Sequence, residues 1–216
     1  ADAKVYGVPM VVMIGWRGEP GVKDEPQHVK QGEVMEELLK ACDLPTIIID
    51  AETSHIGEVL RSVVEQAISS SRPVVLLVKK DTFESYKLKN TSPDISEESR
   101  EDAINMVVEA SGAEDIFVST TGMASRELFE IRVQNKQSHD KDFLTVGSMG
   151  HANMIALGVA QNTDRHVFCI DGDGASLMHL GNLTSIGQSG AKNIIHILLN
   201  NAAHDSVGGQ ATCASK

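Results

Sequence analysis

Short runs of consecutive apolar residues recur along this chain, and most are followed by a segment with helical periodicity. Examples are residues 8–15 (VPMVVMIG), residues 74–78 (VVLLV) and residues 194–199 (IIHILL). Uninterrupted apolar runs are typical of strands buried on both faces, and strands that alternate with helices predict parallel pairing through right-handed crossovers. The sequence therefore predicts an α/β fold with parallel sheets flanked by helices.

The same patterns locate the other elements and divide the chain. We predict further strands at residues 46–50, 115–120, 143–147 and 167–171, and helices at residues 33–42, 54–71, 152–161 and 175–187. Residues 80–95 are predicted to be a polar linker, and Asp94-Ile-Ser-Glu97 to cap a helix that runs to about Ser111. The linker and the helix after it, residues 86–114, separate two halves that each alternate strands with helices, residues 1–85 and residues 115–216. The chain is long enough for one large domain or two small ones.

Composition excludes some partners. The formal net charge is -11 and no block of Lys and Arg occurs, so nucleic acid and anionic membranes are not expected partners. The apolar runs are too short to span a membrane. Three widely spaced cysteines show neither a disulfide framework nor zinc-ligand spacing, which favours a reducing, cytoplasmic location.

Polar residues follow two of the predicted strands. Gly172-Asp173-Gly174 comes after the strand at 167–171, and Asn200-Asn201 comes after the apolar run at 194–199. The carboxyl ends of parallel strands meet at one edge of a sheet, where such folds bind ligands. Carboxylate and amide oxygens suit Mg²⁺, and backbone amides at a helix start suit a diphosphate. The sequence therefore predicts a metal and diphosphate site at this edge.

Two sets of residues make up the predicted site. The Mg²⁺ ligands are predicted to be Asp173, Asn201 (or Asn200) and the backbone carbonyl of Ala203. The diphosphate is predicted to lie against the glycine-rich turn and the helix start, at Gly172, Gly174 and Ala175. A second turn, Gly147-Ser148-Met149-Gly150, either offers further amides and a hydroxyl or is an ordinary glycine-allowed turn. Neither a GxGxxG nor a GxxxxGK[ST] motif occurs.

The polar loop predicted at residues 16–32 contains several basic residues, although the chain as a whole is acidic. Arg17 and Lys30 are candidate ligands of a small anionic substrate, although Lys30, like Lys23, is also readily explained as a surface charge. His28 is a candidate proton carrier near neutral pH. The sequence His204-Asp205-Ser206 contains the residue types of a hydrolase triad, but adjacent residues cannot adopt that geometry and no GxSxG elbow occurs. His179 and His196 lack metal-ligand spacing and are expected to make local hydrogen bonds.

Gly-Asp-Gly followed by Asn-Asn resembles the cofactor motif of the thiamine diphosphate-dependent decarboxylases. The segments IGWRGEPGVKDEPQHVKQG, FLTVGSMGHA, CIDGDGASLMHLGNL and LLNNAAHDSVGGQ are similar to the phosphonopyruvate and sulfopyruvate decarboxylases of that family. The resemblance extends through essentially the whole chain. It implies thiamine diphosphate and Mg²⁺ as cofactors and a small anionic 2-oxo acid as substrate.

The resemblance also implies roles for the two halves. Residues 1–85 would be the later part of a pyrimidine-binding domain, and residues 115–216 the first part of a pyrophosphate-binding domain, both incomplete. A homodimer or higher homo-oligomer would share active sites, so that His28 of one copy meets Asp173 of another. Ser148 would help hold the diphosphate, Met123 would pack against the cofactor, and His28 or His204 would assist proton transfer.

One departure from the family pattern leads to further expectations. The family activates its cofactor with a glutamate in a segment to which nothing here corresponds, since Glu19 and Glu25 come too late in the pattern. We therefore expect the chain to be a segment of a longer enzyme and to lack full activity alone. The alternatives are a non-catalytic, cofactor-binding subunit and a nucleotide-binding α/β protein of another kind.

Overall fold

The computed structural model describes residues 3–86 and 98–215, which form two compact units, Ala1–Tyr86 and Lys87–Lys216. Both units contain parallel sheets flanked by helices, so the predicted α/β class is confirmed. No helix among the described residues is both long enough and apolar enough to cross a membrane.

The first unit is built on a three-stranded parallel sheet in the order β1-β3-β2. Its strands are β1 (Met10–Gly15), β2 (Thr46–Ile49) and β3 (Pro73–Val78). Its helices are α1 (Ala3–Tyr6), α2 (Pro26–Glu33), α3 (Met35–Ala41) and α4 (Ile56–Ser70). The central strand β3 is buried on both faces, as its uninterrupted apolar run predicts. One face packs against Val63 and Ala67 of α4, and the other packs against Trp16 and Leu39.

Three predictions for this unit are wrong in detail. The strand at residues 8–15 is not buried on both faces, since Met10 and Met13 are 50% and 60% exposed. Within the described part of the chain, β1 pairs with β3 alone and lies at the edge of the sheet. The loop predicted at residues 16–32 contains the start of α2, which begins at Pro26, a residue suited to the first helical turn. The helix predicted at 33–42 is interrupted at Val34, which leaves the helical conformation.

The second unit is built on a four-stranded parallel sheet in the order β5-β4-β6-β7. Its strands are β4 (Ile116–Ser119), β5 (Asp142–Leu144), β6 (Val167–Gly172) and β7 (Ile194–Leu199), and a small antiparallel hairpin adds β8 (Ala203–His204) and β9 (Gln210–Ala211). Its helices are α5 (Arg100–Ala110), α6 (Met123–Gln134), α7 (Ala152–Ala160), α8 (Asp173–Met178) and α9 (Asn182–Gln188). Two short 3₁₀ turns cover Asp205–Val207 and Cys213–Ser215.

The helices cover both faces of this sheet. Residues of α5 and α6 pack on Phe117 and Ile170, whereas α7 packs on Val118, Val167 and Cys169. The chain passes from β4 to β5 on one side and returns to β6 on the other, so the strand order reverses between β4 and β6. Such a reversal opens a crevice at the carboxyl ends of the two strands.

Some boundaries in this unit differ from the predictions, and the first is the strand predicted at residues 143–147, which is β5 and already ends at Leu144. The helix predicted at 175–187 is two helices, because His179 departs from helical geometry and α9 begins only at Asn182. The helix predicted to reach about Ser111 does end there, but its described cap is Ser99, which forms a reciprocal capping box with Asp102. The capping signal Asp94-Ile-Ser-Glu97 and residues 87–95 of the linker lie outside the described residues.

Candidate cofactor site

A cavity of about 650 Å³ lies at the carboxyl ends of β4, β6 and β7, where the strand order of the second unit reverses. Most of the residues predicted for the site line this cavity. These are Met123, Met149, Gly172, Asp173, Gly174, Ala175, Asn200, Asn201, Ala203 and His204. The two polar clusters therefore meet at one edge of the sheet, as the parallel-strand argument predicts.

Asp173 is the first residue of α8 and is only 3% exposed. Its carboxylate accepts a hydrogen bond from the hydroxyl of Thr212, and it forms no ion pair with a described residue. Burial of a charge without a counter-charge is costly. The carboxylate is therefore a suitable ligand for a cation held in the cavity.

The two asparagines are held by side-chain hydrogen bonds within their loop. Asn201 Oδ1 accepts from the amide of Ala203 at 3.1 Å, and its Nδ2 donates to Asp205 Oδ2 at 2.6 Å. Asn200 Oδ1 accepts from the amide of Ala202 at 2.9 Å. Each amide oxygen keeps a second lone pair. Both asparagines remain candidate ligands, with Asn201 the predicted one.

The two glycines of the Gly-Asp-Gly turn are not equivalent. A Cβ atom at Gly174 would lie 2.7 Å from Nδ1 of His204, so the absence of a side chain lets the β8–β9 hairpin fold onto the start of α8. At Gly172 a Cβ would meet nothing within 4 Å, and the backbone is extended (φ -102°, ψ 155°). The close packing of His204 against the start of α8 therefore requires a glycine at position 174, whereas no contact within the protein requires one at position 172.

The second predicted turn contributes less than the sequence suggested. Among its residues Met149 lines the cavity, whereas Gly147 and Ser148 are not among the lining residues. The amide of Gly147 instead donates to the hydroxyl of Thr121 at 3.0 Å, and Thr121 does line the cavity. Within the turn, Gly147 is therefore bonded to a wall residue at the end of β4, and Met149 itself faces the cavity.

Sequence reasoning missed three polar residues of this wall. Asp171 is fully buried and accepts from Nε2 of His196 at 3.2 Å, which confirms a local hydrogen bond for that histidine. Thr120 has a buried hydroxyl with no hydrogen-bond partner among the described residues. Arg100 donates to Glu127 and Asp205, and the hydrogen bond to Glu127, followed by the charges of the two carboxylates, raises the pKa of the guanidinium. Thr120 and Asp171 could have been identified from the sequence, because both lie at the ends of predicted strands.

The remaining predicted residues lie in the first unit. Arg17 and His28 both donate to the carboxylate of Asp24, and Lys30 Nζ pairs with Glu33 at 3.2 Å. The two cations proposed to bind an anionic substrate are therefore each paired with a carboxylate already. Hydrogen bonds from Arg17 and His28 hold the pKa of Asp24 well below its usual value.

Comparison with known proteins finds a family whose domain is similar to most of the second unit. Residues 119–216 match the C-terminal TPP-binding domain of thiamine pyrophosphate enzymes. The match covers the cavity from the end of β4 onward, including Asp173 and Asn201, so the resemblance seen in the sequence is confirmed.

Named decarboxylases are similar to this chain. A phosphonopyruvate decarboxylase of Streptomyces viridochromogenes is 33% identical, covering 96% of this chain and 55% of the relative. A sulfopyruvate decarboxylase of Methanosarcina acetivorans is 30% identical, over 96% of this chain and 57% of the relative. The sulfopyruvate decarboxylase subunit beta of Methanocaldococcus jannaschii is 40% identical, over 54% of this chain and 60% of the relative. The chain thus spans little more than half the length of these relatives.

The cavity residues suit a magnesium ion and a diphosphate. The candidate metal ligands are all oxygen atoms, which Mg²⁺ prefers, and Asp173 is a buried charge without a counter-charge among the described residues. The hydroxyl of Thr120, which has no hydrogen-bond partner among the described residues, is available to bond a phosphate oxygen. The open space beside Gly172 leaves room for the phosphate. The residues present therefore fit the cofactor that the family implies.

Proposed function

We propose that the protein containing this chain is a thiamine diphosphate- and Mg²⁺-dependent decarboxylase that converts phosphonopyruvate to phosphonoacetaldehyde and CO₂. The observation that carries the proposal is the buried carboxylate of Asp173 in the cavity of the matched domain, which has no counter-charge among the described residues. Similarity to phosphonopyruvate decarboxylase over 96% of the chain supports the choice of substrate.

The second unit binds the cofactor in this proposal. Asp173, Asn201 and the carbonyl of Ala203 hold Mg²⁺, and the backbone at Gly174 and Ala175 meets the diphosphate. Gly147 and Ser148 act through the loop that supports Thr121, and Met123 lies against the organic part of the cofactor. Bound thiamine diphosphate supplies the electron sink that loss of CO₂ from a 2-oxo acid requires.

Substrate binding is assigned to the cations of the first unit. The Lys30 side chain is 82% exposed and its pair with Glu33 is a surface pair, which contributes little and is easily exchanged for an anionic ligand. Arg17 is held by two hydrogen bonds to Asp24 and is the less available of the two. We therefore propose Lys30 as the principal ligand of the phosphonate, with Arg17 secondary.

Proton transfer is assigned to His28, with His204 as the second candidate because it lines the cavity beside Gly174.

We propose a homodimer or higher homo-oligomer with shared active sites. Three relatives are named sulfopyruvate decarboxylase subunit beta, and this name supports assembly from more than one chain. A cytoplasmic location is proposed from the cysteine pattern.

Calorimetry on the protein that contains this chain tests the cofactor assignment. Wild-type protein is expected to bind thiamine diphosphate only with Mg²⁺ present, and Asp173→Ala is expected to abolish that binding. Asp164→Ala, which changes an acidic residue outside the cavity lining, is the matched control. Unchanged affinity in Asp173→Ala would remove the metal assignment, and tighter binding of ATP or NAD would point to a different nucleotide-binding protein.

Sulfopyruvate is the second candidate substrate, because the beta subunit from Methanocaldococcus jannaschii is 40% identical over the aligned part. Turnover of phosphonopyruvate and sulfopyruvate by the same preparation separates the two acids. Cofactor binding without turnover of either would favour a non-catalytic subunit. In that case addition of a second chain that carries the activating glutamate is expected to restore decarboxylation.

A further inference from the structure

The carboxylate of Asp24 is the centre of a hydrogen-bond cluster in the first unit. It accepts from Arg17 Nε at 2.8 Å and Nη2 at 2.5 Å, and from the backbone amides of Gly18 and Glu25, both at 2.7 Å. The fifth donor is Nδ1 of His28, at 3.0 Å. The Asp24 side chain is only 11% exposed. One side chain therefore fixes the positions of Arg17, the loop backbone and His28 together.

The backbone around this cluster leaves little room for movement. Gly18 adopts φ +70°, and a Cβ there would lie 2.1 Å from the carbonyl oxygen of His28. A Cβ at Gly32 would lie 1.9 Å from the carbonyl oxygen of Gly18. The indole of Trp16 donates to the carbonyl of Gly32 at 3.0 Å, and the ring packs in the core of the unit. The start of the loop is thus packed directly against α2, which carries His28.

The chemistry of the cluster determines which ring nitrogen of His28 carries the proton. Since Arg17 and His28 lower the pKa of Asp24, the carboxylate stays ionised and can only accept hydrogen bonds. The hydrogen atom between the two side chains must therefore be on Nδ1. Nε2 makes no hydrogen bond to a described residue, and the side chain of His28 is 26% exposed. In neutral His28 the free lone pair is on Nε2.

We propose that Asp24 is a positioning residue, which holds neutral His28 in the Nδ1–H form and in one ring orientation, with Nε2 presented for proton exchange. Nε2 accepts a proton to give the imidazolium and returns the same proton to regain the neutral form. The catalytic meaning of this arrangement rests on the proposed function. The arrangement itself can be measured without any turnover.

Imidazole NMR on the intact chain tests the proposal directly. Long-range ¹H–¹⁵N correlation at a pH where histidine is neutral distinguishes the Nδ1–H from the Nε2–H form, and loss of one set of signals in His28→Gln gives the assignment. Wild-type His28 is expected to be essentially all Nδ1–H. Asp24→Asn is expected to give a mixture, since an amide can donate as well as accept. An Nε2–H wild-type ring, or an Asp24→Asn spectrum like wild type, overturns the proposal.

Two further variants separate positioning from a general loosening of the loop. Arg17→Gln keeps the carboxylate and is expected to retain the Nδ1–H form of His28. Asp50→Asn changes a carboxylate that bonds Thr53 and the amide of Glu52 but no histidine, and is expected to leave the spectrum unchanged. If Arg17→Gln loses the Nδ1–H form as fully as Asp24→Asn does, loop packing rather than Asp24 sets the tautomer. The wild-type spectrum decides the question even if Asp24→Asn fails to fold.

Kinetics then connect the tautomer to the reaction. In the protein that contains this chain, Asp24→Asn is expected to lower kcat by at least about tenfold with little change in KM or in thiamine diphosphate affinity. Asp24→Glu, which restores a carboxylate, is expected to recover part of kcat. If kcat in Asp24→Asn equals that of wild type, Asp24 does not position a proton carrier. Absence of decarboxylation in wild type would instead refute the proposed function and leave the NMR result standing.

Discussion

The hydroxyl of Thr212 donates a hydrogen bond to the buried carboxylate of Asp173, 39 positions earlier in the chain. Thr212 directly follows β9, and its amide donates to the carbonyl of Ala202 at 2.9 Å. The hairpin that carries His204 is therefore connected to the start of α8 at Asp173. We infer that the orientation of Asp173 depends on this hairpin as well as on its own helix.

Replacement of Thr212 by Val is expected to remove the hydrogen bond and leave a buried acceptor unsatisfied. The expected cost is about 1–3 kcal/mol of unfolding free energy. Mg²⁺-dependent cofactor binding is expected to weaken, because Asp173 loses the hydrogen bond that orients it. Urea denaturation and calorimetry measure the two effects. Thr184→Val removes an exposed hydroxyl that bonds Gly181 and serves as the control. Equal behaviour of the two variants would contradict a role for Thr212 in holding Asp173.

The two glycines of the turn provide a matched pair of substitutions. Gly174→Ala places a methyl group 2.7 Å from the His204 ring, so the hairpin must move away from α8, and cofactor affinity is expected to fall by at least about tenfold. Gly172→Ala enters open space with an ordinary backbone conformation and is expected to change stability by less than about 0.5 kcal/mol. Thermal unfolding and calorimetry compare them. A ranking in the opposite order would contradict the proposed contact between His204 and Gly174.

The sequence predicted the part of the site whose residues directly follow apolar runs. Asp173 and Asn201 come next to the strands that position them, so strand ends and parallel pairing were sufficient to bring them together. Thr212 and Arg100 left no such signal. The partners of Arg100 are 27 and 105 positions away, and the strands of the β8–β9 hairpin have two residues each. Contacts between residues that are far apart in the sequence have no local sequence pattern from which they can be predicted.

Burial of β1 illustrates a second limit of sequence patterns. Its run of apolar residues predicts a strand covered on both faces, but it is an edge strand in the first unit and Met13 is exposed. An apolar composition indicates that a strand can be buried, but it does not indicate which neighbouring elements cover the strand. The strand order that decides this is a property of the whole sheet, and it was visible only in the structure.

Arg132 is expected to be a major source of stability in the second unit. It donates to both carboxylate oxygens of Asp142, at 3.0 and 3.1 Å, and its guanidinium lies over the ring of Phe117. Since the Asp142 side chain is only 1% exposed, Arg132→Met leaves a buried carboxylate without its guanidinium, and the nearest remaining partner is Nδ1 of His139, 3.6 Å from Oδ2. The expected cost is about 3–5 kcal/mol. Arg165→Met, which breaks an exposed pair with Glu114, is the control and should leave the urea midpoint nearly unchanged. A small effect of Arg132→Met would show that Asp142 finds another partner.

Acidification is expected to loosen the loop at Asp24. Because the folded pKa of this carboxyl is lowered, its contribution to stability is present above the ordinary aspartate pKa and is lost as the pH falls toward the folded value. In Asp24→Asn this acid-dependent part should be absent. Amide hydrogen exchange of Gly18 and Glu25 between neutral and acidic pH measures it, after correction for intrinsic rates. Identical pH dependence in wild type and Asp24→Asn would contradict the assignment.

The three cysteines are expected to differ sharply in reactivity. Cys42 and Cys213 are exposed, whereas Cys169 lies in the core, where burial and then the nearby Asp171 charge raise the pKa of its thiol. Since the thiolate is the reactive form, a raised pKa leaves almost none of it near neutral pH, and burial also blocks the reagent. Titration of the folded chain with a thiol reagent should modify Cys42 and Cys213 rapidly, and Cys169 only after denaturation. Peptide mapping identifies the modified sites, with Cys169→Ala as the control. Rapid modification of Cys169 in the folded chain would show that β6 opens to solvent.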